Sequence, residues 1–470
     1  MKISPTVKQT IFSLPLLLNN VSIGMMYGYT AFLIPALLTE DGDDLKTDTY
    51  TASWIASITG ISGIVAVLSV GPSMHYLGRR ITQLIISTLM FIGWILNATA
   101  TSIPMLMAGR AFQGIGTGIL SFGSVYVAEL TSPKIRGVVL SVKAITPSFG
   151  TLLVHILGCV LHWRYVAALA IVPIVIGTVI TFLSPETPDF FISKGLYDEA
   201  QNVFFSIRGR DSNTEEEIKS VIETEKERTK SEHWKMNLRA VVAKLFSKVL
   251  LRVLVVLFFA RVVIELGGKH YFSAYSVSLL KKMNINVEKG LLYTVYIDLF
   301  SMGASIVSVF LIKRFPRRLV IINCGYTATF LSIVGCLLIY VKDYAFDNQI
   351  LLWIAVIMII CFFVIMYGAT FGACFIVMGE LIPLEFRSIG TVLEGLLGCI
   401  LLTITLKTVP VLVELIEVHG MILVFSICIL ISLVYMHIDM PESKDRTLHD
   451  IAEYFKGNSP KNKTNKVSSL

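Results

Sequence analysis

Glu129-Leu-Thr-Ser-Pro-Lys-Ile-Arg136 is repeated in the second half of the chain as Glu380-Leu-Ile-Pro-Leu-Glu-Phe-Arg387, with the same spacing from glutamate to arginine. A shorter signature, Gly78-Arg79-Arg80, is echoed by Pro316-Arg317-Arg318. Each copy lies between long apolar segments. Repeated polar connections in an apolar chain are typical of transporters built from two similar halves, with the substrate path between the halves.

The composition indicates a membrane protein. The 470 residues are 54% hydrophobic and 16% charged, and the mean hydropathy is +0.72, whereas soluble domains are about 25% charged. Apolar segments of about 20 residues predict twelve membrane spans, six in each half. They are residues 11–37, 52–74, 80–100, 104–128, 138–160, 164–184, 250–280, 290–312, 319–341, 351–379, 388–412 and 420–438. Almost none of these segments has a charged face, which argues against buried helices of a soluble protein.

The distribution of charge predicts the orientation. Lys2 and Lys8 resemble the start of a signal peptide, but the apolar run to Leu37 is too long and no small-residue cleavage site follows. The first predicted outer loop is acidic (residues 40–44), whereas the predicted inner connections are basic. The basic positions are Arg79, Arg80, Lys134, Arg136, Lys313, Arg314, Arg317, Arg318, Arg387 and the tail from Lys456 to Lys466. By the positive-inside rule both termini should be cytoplasmic, and we expect a plasma-membrane location.

The sequence predicts neither enzyme chemistry nor a cofactor. The seven cysteines fall within predicted spans without metal-ligand spacing, and no Walker motif or nucleophile constellation stands out. The basic inner connections account for most of the +7 charge, so no nucleic-acid partner is needed. No obligate protein partner is evident either. We expect the lipid bilayer and a small solute to be the partners.

Ordered motifs carry a family resemblance over essentially the whole chain. They are Gly71-Pro-Ser-Met-His-Tyr-Leu-Gly78-Arg79-Arg80, Gly109-Arg110-Ala-Phe-Gln-Gly114-Ile-Gly116-Thr-Gly118, Tyr126-Val-Ala-Glu129 through Arg136-Gly137, Pro185-Glu186-Thr187-Pro188 and Pro441-Glu442-Ser443-Lys444. Together they resemble the sugar-porter branch of the major facilitator superfamily. Met378-Gly379-Glu380, Lys407-Thr408 and Ser53-Trp54 are most similar to the insect trehalose-facilitator group.

This resemblance implies an all-α membrane protein with twelve transmembrane helices in two six-helix bundles and a cytoplasmic helical linker. The expected domains are residues 1–184, the linker 185–249, residues 250–440 and a cytoplasmic tail 441–470. Charges alternate along the linker, which predicts solvated helices. The implied activity is transport of a small polar solute, a sugar such as trehalose or a hexose, by facilitated alternating access.

The repeated charges are candidates for gating at the inner face. Arg79, Arg80 and Arg136 should reach Glu129, and the equivalent set, Arg317, Arg318 and Arg387, should reach Glu380. Such a network would hold the inner side closed and break when it opens. The alternative is that these residues only orient the loops. His75 and Lys313 stand where the family has acidic residues, which predicts a weaker inner closure.

The resemblance also implies a substrate site in which the usual sugar-binding amides are missing. Glutamine and asparagine positions of the family are occupied by Ala144, Ile264, Glu265, His270, Ser301 and Gly398, while Tyr367 replaces a polar contact and Phe375 the stacking tryptophan. The predicted lining is Thr30, Ala144, Glu265, His270, Ser301, Tyr367 and Phe375. Glucose should therefore be a poor substrate.

Ionisable residues within the spans leave the mechanism open. Arg261 and Glu265 are one helical turn apart and either neutralise each other or line the pore. We expect His270 to line the pore, and Lys143, His155 and Glu394 to be structural. Thr30 follows Gly28-Tyr29 where proton-coupled relatives carry an aspartate, which favours passive transport. The alternatives are proton symport through Glu265, His270 or Asp298, and a solute sensor without flux.

Overall fold

The computed structural model of the chain describes residues 4–38, 45–231, 247–282, 287–344, 349–383, 386–444, 446 and 448–456. Helices account for almost all of these residues, and no β-strand occurs among them. The predicted acidic loop and most of the basic tail lie outside the described residues. The expectation of an all-helical fold is confirmed for the part of the chain that the structure describes.

Eleven helices precede residue 232. They are α1 (Pro5–Leu38), α2 (Thr49–Tyr76), α3 (Arg79–Ala98), α4 (Ile103–Ile115), α5 (Gly118–Leu130), α6 (Pro133–Val160), α7 (Trp163–Leu169), α8 (Ile171–Leu183), α9 (Pro188–Ser193), α10 (Tyr197–Arg208) and α11 (Ser212–Ser231). Eight further described helices follow residue 246. They are α12 (Lys248–Leu266), α13 (Tyr271–Lys282), α14 (Val287–Arg314), α15 (Arg317–Tyr344), α16 (Gln349–Ile365), α17 (Phe371–Leu381), α18 (Arg387–Asp439) and α19 (Leu448–Lys456), with a π-helical turn at Met366–Thr370 between α16 and α17.

Eleven of the twelve spans that the apolar pattern predicts correspond to described helices that are long and apolar enough to cross a membrane. Among the described residues, nine helices are long and apolar enough to cross a membrane, and the bent pair Ile103–Leu120 and Phe122–Leu130 adds a tenth. The 53 residues of α18 extend about 80 Å at about 1.5 Å per residue, more than twice the thickness of the hydrocarbon layer. A kink at Glu417, where φ is 61°, divides α18 into two spans. The seventh predicted span, residues 250–280, is divided between α12 and α13, and neither helix is among these candidates.

Two carboxylates, Glu186 and Glu442, cap the helices that begin with the repeated arginine pairs. Glu186 accepts hydrogen bonds from the first two backbone N–H groups of α3, at 3.0 and 3.1 Å. Glu442 accepts from the first two N–H groups of α15, both at 3.0 Å. These N–H groups have no partner within their own helix, and a carboxylate also complements the positive end of the helix dipole. The internal repeat therefore includes the helix caps as well as the arginines.

Gly78 gives the first of these caps its geometry. Its φ of 93° is in the left-handed region that glycine adopts readily. A Cβ at this position would lie 2.8 Å from Cδ of Glu186. The second copy has Pro316 instead, so the two turns present the same carboxylate cap with different backbones.

The linker helices α9, α10 and α11 have a small core of their own. Ile192, Ala200, Phe204, Ile218 and Ile222 are buried together. On the solvent side, Arg210 Nε lies 2.8 Å from Glu215 Oε1. The predicted helical linker is thus present in residues 188–231, and the rest of it lies outside the described residues.

Contacts between helices divide the chain into two compact units. The first unit comprises Met1–Lys235, Gly268–Met302 and Cys399–Val418. The second comprises Met236–Gly267, Gly303–Gly398 and His419–Leu470. The domain boundaries expected from the sequence, at residues 184, 249 and 440, stay predictions.

Close packing of α1 on α6 depends on glycine in the first unit. A Cβ on Gly24 would overlap the carbonyl group of Pro147, and a Cβ on Gly150 would overlap the carbonyl oxygen of Val21. Small residues allow two helix backbones to approach in this way, which increases van der Waals contact where lipid supplies no hydrophobic driving force.

Gly150→Ala should therefore destabilise the protein by about 1–3 kcal/mol, the usual cost of overpacking. Gly137→Ala on the same helix is the matched control, because a Cβ there would meet no atom within 4 Å. Unfolding of both variants in detergent, followed by tryptophan fluorescence, measures the difference. Equal stability of the two variants would contradict this account of the α1–α6 contact.

Candidate functional site

The first inner charge cluster is centred on Glu129, at the end of α5. Arg79 Nη2 lies 2.8 Å from Glu129 Oε1, and both side chains are largely buried. Arg208, from linker helix α10, donates to the carbonyl oxygens of Glu129 and Thr131 at 3.3 and 2.9 Å. The linker is thus bound directly to the first repeated motif.

Asp189 adds a second carboxyl to this cluster. Burial raises the pKa of Asp189, while the neighbouring guanidinium groups of Arg79 and Arg208 oppose that shift. Sequence reasoning missed both Asp189 and Arg208. Their only sequence signal is that they lie in the charged linker that follows the Pro-Glu-Thr-Pro motif.

Two of the arginines predicted to act on Glu129 bind main-chain carbonyls in this structure. Arg80 Nε donates to Thr181 O at 3.3 Å, and Arg80 Nη2 donates to Phe182 O. Arg136 Nη2 donates to Ala128 O at 2.8 Å and to Thr131 O at 3.2 Å. These contacts fasten the ends of α5 and α8, whereas the contact with the Glu129 carboxylate is made by Arg79.

The second charge cluster repeats this arrangement in the second unit. Arg317 pairs with Glu380 at the end of α17, and Arg318 donates to the carbonyl oxygen of His437. Arg387 and Arg446 line a polar cavity of about 350 Å³ beside Arg317 and Glu380. Arg317 and Arg318 therefore occupy the same roles in the second copy as Arg79 and Arg80 in the first.

The predicted substrate residues of the first unit differ in burial. Thr30 is buried on α1 and donates to Tyr27 O at 3.2 Å. His270 is buried, and its ring centroid lies 4.5 Å from that of Tyr27. Ser301 is buried on α14, whereas Ala144 is exposed on α6.

Two of the predicted substrate residues of the second unit, Glu265 and Phe375, lie beside Arg261. Its guanidinium lies 2.5 Å from Glu394 Oε1 and 3.7 Å from Glu265 Oε1. The same guanidinium carbon is 5.4 Å from the centroid of the Phe375 ring. Tyr367 lies in the π-helical turn before α17 and packs edge-on against Phe371 at 5.0 Å. Two carboxylates, one guanidinium and one aromatic face thus form a cluster in the membrane-spanning part of this unit, which we call the Arg261 cluster.

Gly398 explains how the Arg261 cluster fits. A Cβ at this position would lie 2.8 Å from Arg261 Cζ. A side chain at this position would require the guanidinium of Arg261 to move from the place it occupies here. Glu394, expected from the sequence to be structural, is the nearer carboxylate partner of Arg261.

Arg110 is a fully buried cation on α4. It donates to the carbonyl oxygens of Met26 and Ile55 at 2.9 and 3.3 Å, and to Gln113 Oε1 at 2.8 Å. These acceptors satisfy the guanidinium with uncharged groups, which limits the cost of the buried charge.

Two of the three motifs that resemble the trehalose-facilitator group, Lys407-Thr408 and Ser53-Trp54, meet in space. Lys407 Nζ lies 2.7 Å from Ser53 Oγ. It also lies 3.9 and 4.1 Å from the ring centroids of Tyr50 and Trp54, within cation–π range. The first part of α18 is thereby attached to the start of α2, a contact that the sequence motifs did not reveal.

The chain matches the family model described as "Sugar (and other) transporter" over residues 13–455. It therefore belongs to this family of membrane transporters, which are not enzymes. The chain is a multi-pass membrane protein, and its family implies a carbohydrate substrate.

Similar proteins occur in insects. The chain is 25% identical to "Facilitated trehalose transporter Tret1" of Culex quinquefasciatus, over 95% of this chain and 85% of the relative. It is 26% identical to the protein of the same name from Apis mellifera ligustica, over 98% and 90%. The chain spans only about half the length of some other relatives, for example 55% of the protein of the same name from Aedes aegypti.

Solved structures show the same fold. The inward open conformation of the xylose transporter XylE from E. coli matches with a TM-score of 0.71 and 16% identity, over 94% of this chain and 98% of that chain. The partially occluded inward open conformation matches with a TM-score of 0.71 and 15% identity, over 93% and 100%. The major facilitator fold expected from the sequence is confirmed.

The two inner ion pairs should contribute unequally to stability. Because Arg79 and Glu129 are more buried than Arg317 and Glu380, a double-mutant cycle with glutamine at Arg79 and Glu129 should give a coupling energy of about 1 kcal/mol or more. The cycle at Arg317 and Glu380 should give less. Unfolding titrations in mixed micelles would supply the free energies.

Arg136 offers the control for this measurement. It contacts carbonyl oxygens near Glu129 rather than the carboxylate, so the cycle between Arg136→Gln and Glu129→Gln should give a coupling close to zero. A coupling as large as that of Arg79 would show that the assignment of partners is wrong.

Proposed function

We propose that this protein carries a small sugar across the plasma membrane by passive alternating access, with both termini in the cytoplasm. The insect relatives are named for trehalose transport, which makes trehalose the first substrate to test and hexoses the second. The basic inner connections support the proposed orientation. The expectation that no obligate protein partner is needed is part of this proposal.

The observation that carries the proposal is the Arg261 cluster. Sugar hydroxyl groups must exchange water for hydrogen-bond partners when they enter a cavity, and they both donate and accept. Carboxylates accept from hydroxyls, and a guanidinium donates to them, through charge-assisted bonds that are stronger than those of amides. The Phe375 ring supplies an apolar face for the C–H side of a sugar ring.

This chemistry replaces the amides that glucose-binding relatives use. Glu265 stands at a family glutamine position, and it lies on the same cluster as Arg261 and Phe375. Charged partners orient hydroxyl groups differently from amides, so a hydroxyl pattern other than that of glucose should be preferred. Thr30, Ala144, His270, Ser301 and Tyr367 are the other residues that the sequence predicts to contact the substrate.

Passive transport is supported by the environment of Thr30 and Arg110. Proton-coupled relatives carry an aspartate at the Thr30 position, and a threonine hydroxyl does not take up a proton at working pH. Arg110 is bound by carbonyl oxygens and by Gln113. The guanidinium is therefore satisfied without a carboxylate at the position of Thr30.

Gating by the two inner charge clusters is part of the proposal. Opening of the inner side would separate Glu129 and Glu380 from their arginines, and the carboxylate-capped α3 and α15 would move as rigid supports. Partly exposed pairs are individually weak, so their role is to bias an equilibrium rather than to fix one state.

When the protein is expressed in a cell that lacks its own sugar carriers, the cell should take up the solute without accumulating it above the outside concentration. Radiolabelled trehalose, hexoses and polyols should reach the outside concentration and no higher, and an ionophore that collapses the proton gradient should leave the initial rate unchanged. If the solute accumulates and the ionophore abolishes this accumulation, the mechanism is proton symport and the proposal of passive transport is wrong. Saturable binding without uptake of any solute would favour a sensor.

Arg261→Gln should reduce the kcat/KM for uptake by about tenfold or more, because it leaves two carboxylates beside the ring of Phe375 without their cation. Arg252→Gln is the matched control on the same helix, since Arg252 is paired with Asp439 away from the cluster. Uptake should change less than about twofold in this control. Equal losses in the two variants, with equal amounts of folded protein, would remove the Arg261 cluster from the substrate site.

A further inference from the structure

The cavity beside Arg317 in the second unit has an excess of positive charge. Its polar lining consists of Arg317, Gly379, Glu380, Arg387, Ser443 and Arg446. Three guanidinium groups thus face one carboxylate among the described lining residues. The acidic residues Glu385 and Asp445 are near in the sequence and lie outside the described residues. The volume of about 350 Å³ is at the lower end of the range for ligand pockets, about 300–1,000 Å³.

Two of the three arginines have no protein partner for their side chains. Arg317 is paired with Glu380. Within the part of the chain that the structure describes, the side chains of Arg387 and Arg446 make neither a hydrogen bond nor an ion pair, and both residues are exposed. A guanidinium carries only donors and no acceptor. The cavity therefore presents N–H groups and positive charge that the surrounding protein does not use.

The first copy of the repeat uses its arginines differently. Arg136, the equivalent of Arg387, donates to two main-chain carbonyl oxygens at 2.8 and 3.2 Å. Arg208, which comes from the linker, is paired with Glu217 at 2.5 Å. The first charge cluster is thus completed by protein groups. In the second copy the guanidinium of Arg387 remains available to a ligand.

The start of α18 adds to the positive potential. This helix begins at Arg387, and its N-cap residue, Phe386, makes no side-chain hydrogen bond to the first turn. By contrast, α15 is capped by the carboxylate of Glu442. The free N–H groups and the dipole of a helix start both favour an anion.

Gly379 keeps the cavity open. A Cβ at this position would meet no atom within 4 Å, and the residue lines the cavity. A larger side chain could therefore enter this space without overlapping the protein at its Cβ. This property allows the cavity to be filled without changing its charge.

We propose that this cavity binds a phosphate group, carried by a soluble phosphorylated compound or by a lipid headgroup. A phosphate monoester has a charge of about −1.5 to −2 at pH 7 and three strong acceptor oxygens, which match the excess charge and the three guanidinium groups. Arginine binds phosphate through paired, charge-assisted hydrogen bonds. The bound group would connect the starts of α15 and α18 with the segment around Arg446. The proposal is independent of sugar transport.

The first test uses inorganic pyrophosphate as a soluble probe. Thermal unfolding of the purified full-length chain in detergent, at constant ionic strength, is followed by tryptophan fluorescence. Saturating pyrophosphate should raise the melting temperature by about 2–4 °C. Arg387→Gln and Arg446→Gln should each increase the pyrophosphate concentration needed for half of this effect by about tenfold or more. Without pyrophosphate both variants should unfold like the wild type, because these side chains have no described partner.

Two further variants separate the cavity from the general charge of the surface. Arg314→Gln removes the same charge from an exposed arginine at the end of α14 that is not among the described lining residues, so it should respond like the wild type. Gly379→Leu keeps every charge but fills the cavity, so the response should be lost. Polyvalent anions also stabilise proteins without binding a site. An equal rise in the wild type, Arg387→Gln and Gly379→Leu would be such a salt effect and would overturn the proposal.

The second test distinguishes the two sources of the phosphate group. The same variants are unfolded in nanodiscs of phosphatidylcholine and of an equal mixture of phosphatidylcholine and phosphatidic acid. A rise in melting temperature that depends on Arg387, Arg446 and Gly379 only in the mixed nanodiscs would identify a lipid headgroup. The same dependence only with pyrophosphate would identify a soluble compound, and dependence in both would show that the cavity accepts either. If neither probe gives a rise that depends on these residues, the proposal is wrong.

Discussion

A charge inside the hydrocarbon layer must have a partner, and in this molecule the partner is brought close by a glycine. His155 reaches the carbonyl oxygen of Gly28 because position 28 has no Cβ. Arg261 occupies space that a side chain at Gly398 would fill. Desolvation makes an unpaired charge costly, so these glycines determine where buried charges can lie. At both places a small residue makes room for a large ionisable side chain.

The same principle operates at the helix ends. Glu186 and Glu442 bind the free N–H groups of α3 and α15, and each fixes the helix that presents an arginine to Glu129 or Glu380. A capping carboxylate satisfies backbone groups that would otherwise need water. Each ion pair is therefore built on a rigid helix start. The sequence repeat is visible because both members of this arrangement, the cap and the pair, are duplicated.

Sequence periodicity and length were sufficient to predict the spans, since apolar runs of membrane length have few alternatives. They also predicted the pair of Arg261 and Glu265, which follows from helical spacing alone. They could not predict that Glu394 is the nearer partner, or that His155 meets Asp298. Those contacts join helices far apart in the chain, and nothing in local spacing states which helix faces which. Arg80 and Arg136 were expected to reach the carboxylate of Glu129, but they donate to main-chain carbonyl oxygens at helix ends. Such carbonyl groups compete with carboxylates for arginine, and the pattern of side chains in a sequence does not show where they lie.

The departures from the family's sugar-binding residues are consequently coupled rather than independent. Gly398 replaces an asparagine, and the space it leaves is occupied by Arg261, which in turn holds Glu394 and approaches Glu265. Restoring the asparagine alone would displace the guanidinium and leave two carboxylates facing an aromatic ring. Restoring glutamine at Glu265 alone would change the charge of a cluster whose geometry is set by Gly398. Neighbouring changes of this kind do not add, so the specificity of the proposed substrate site should belong to the cluster as a whole rather than to any one of its residues.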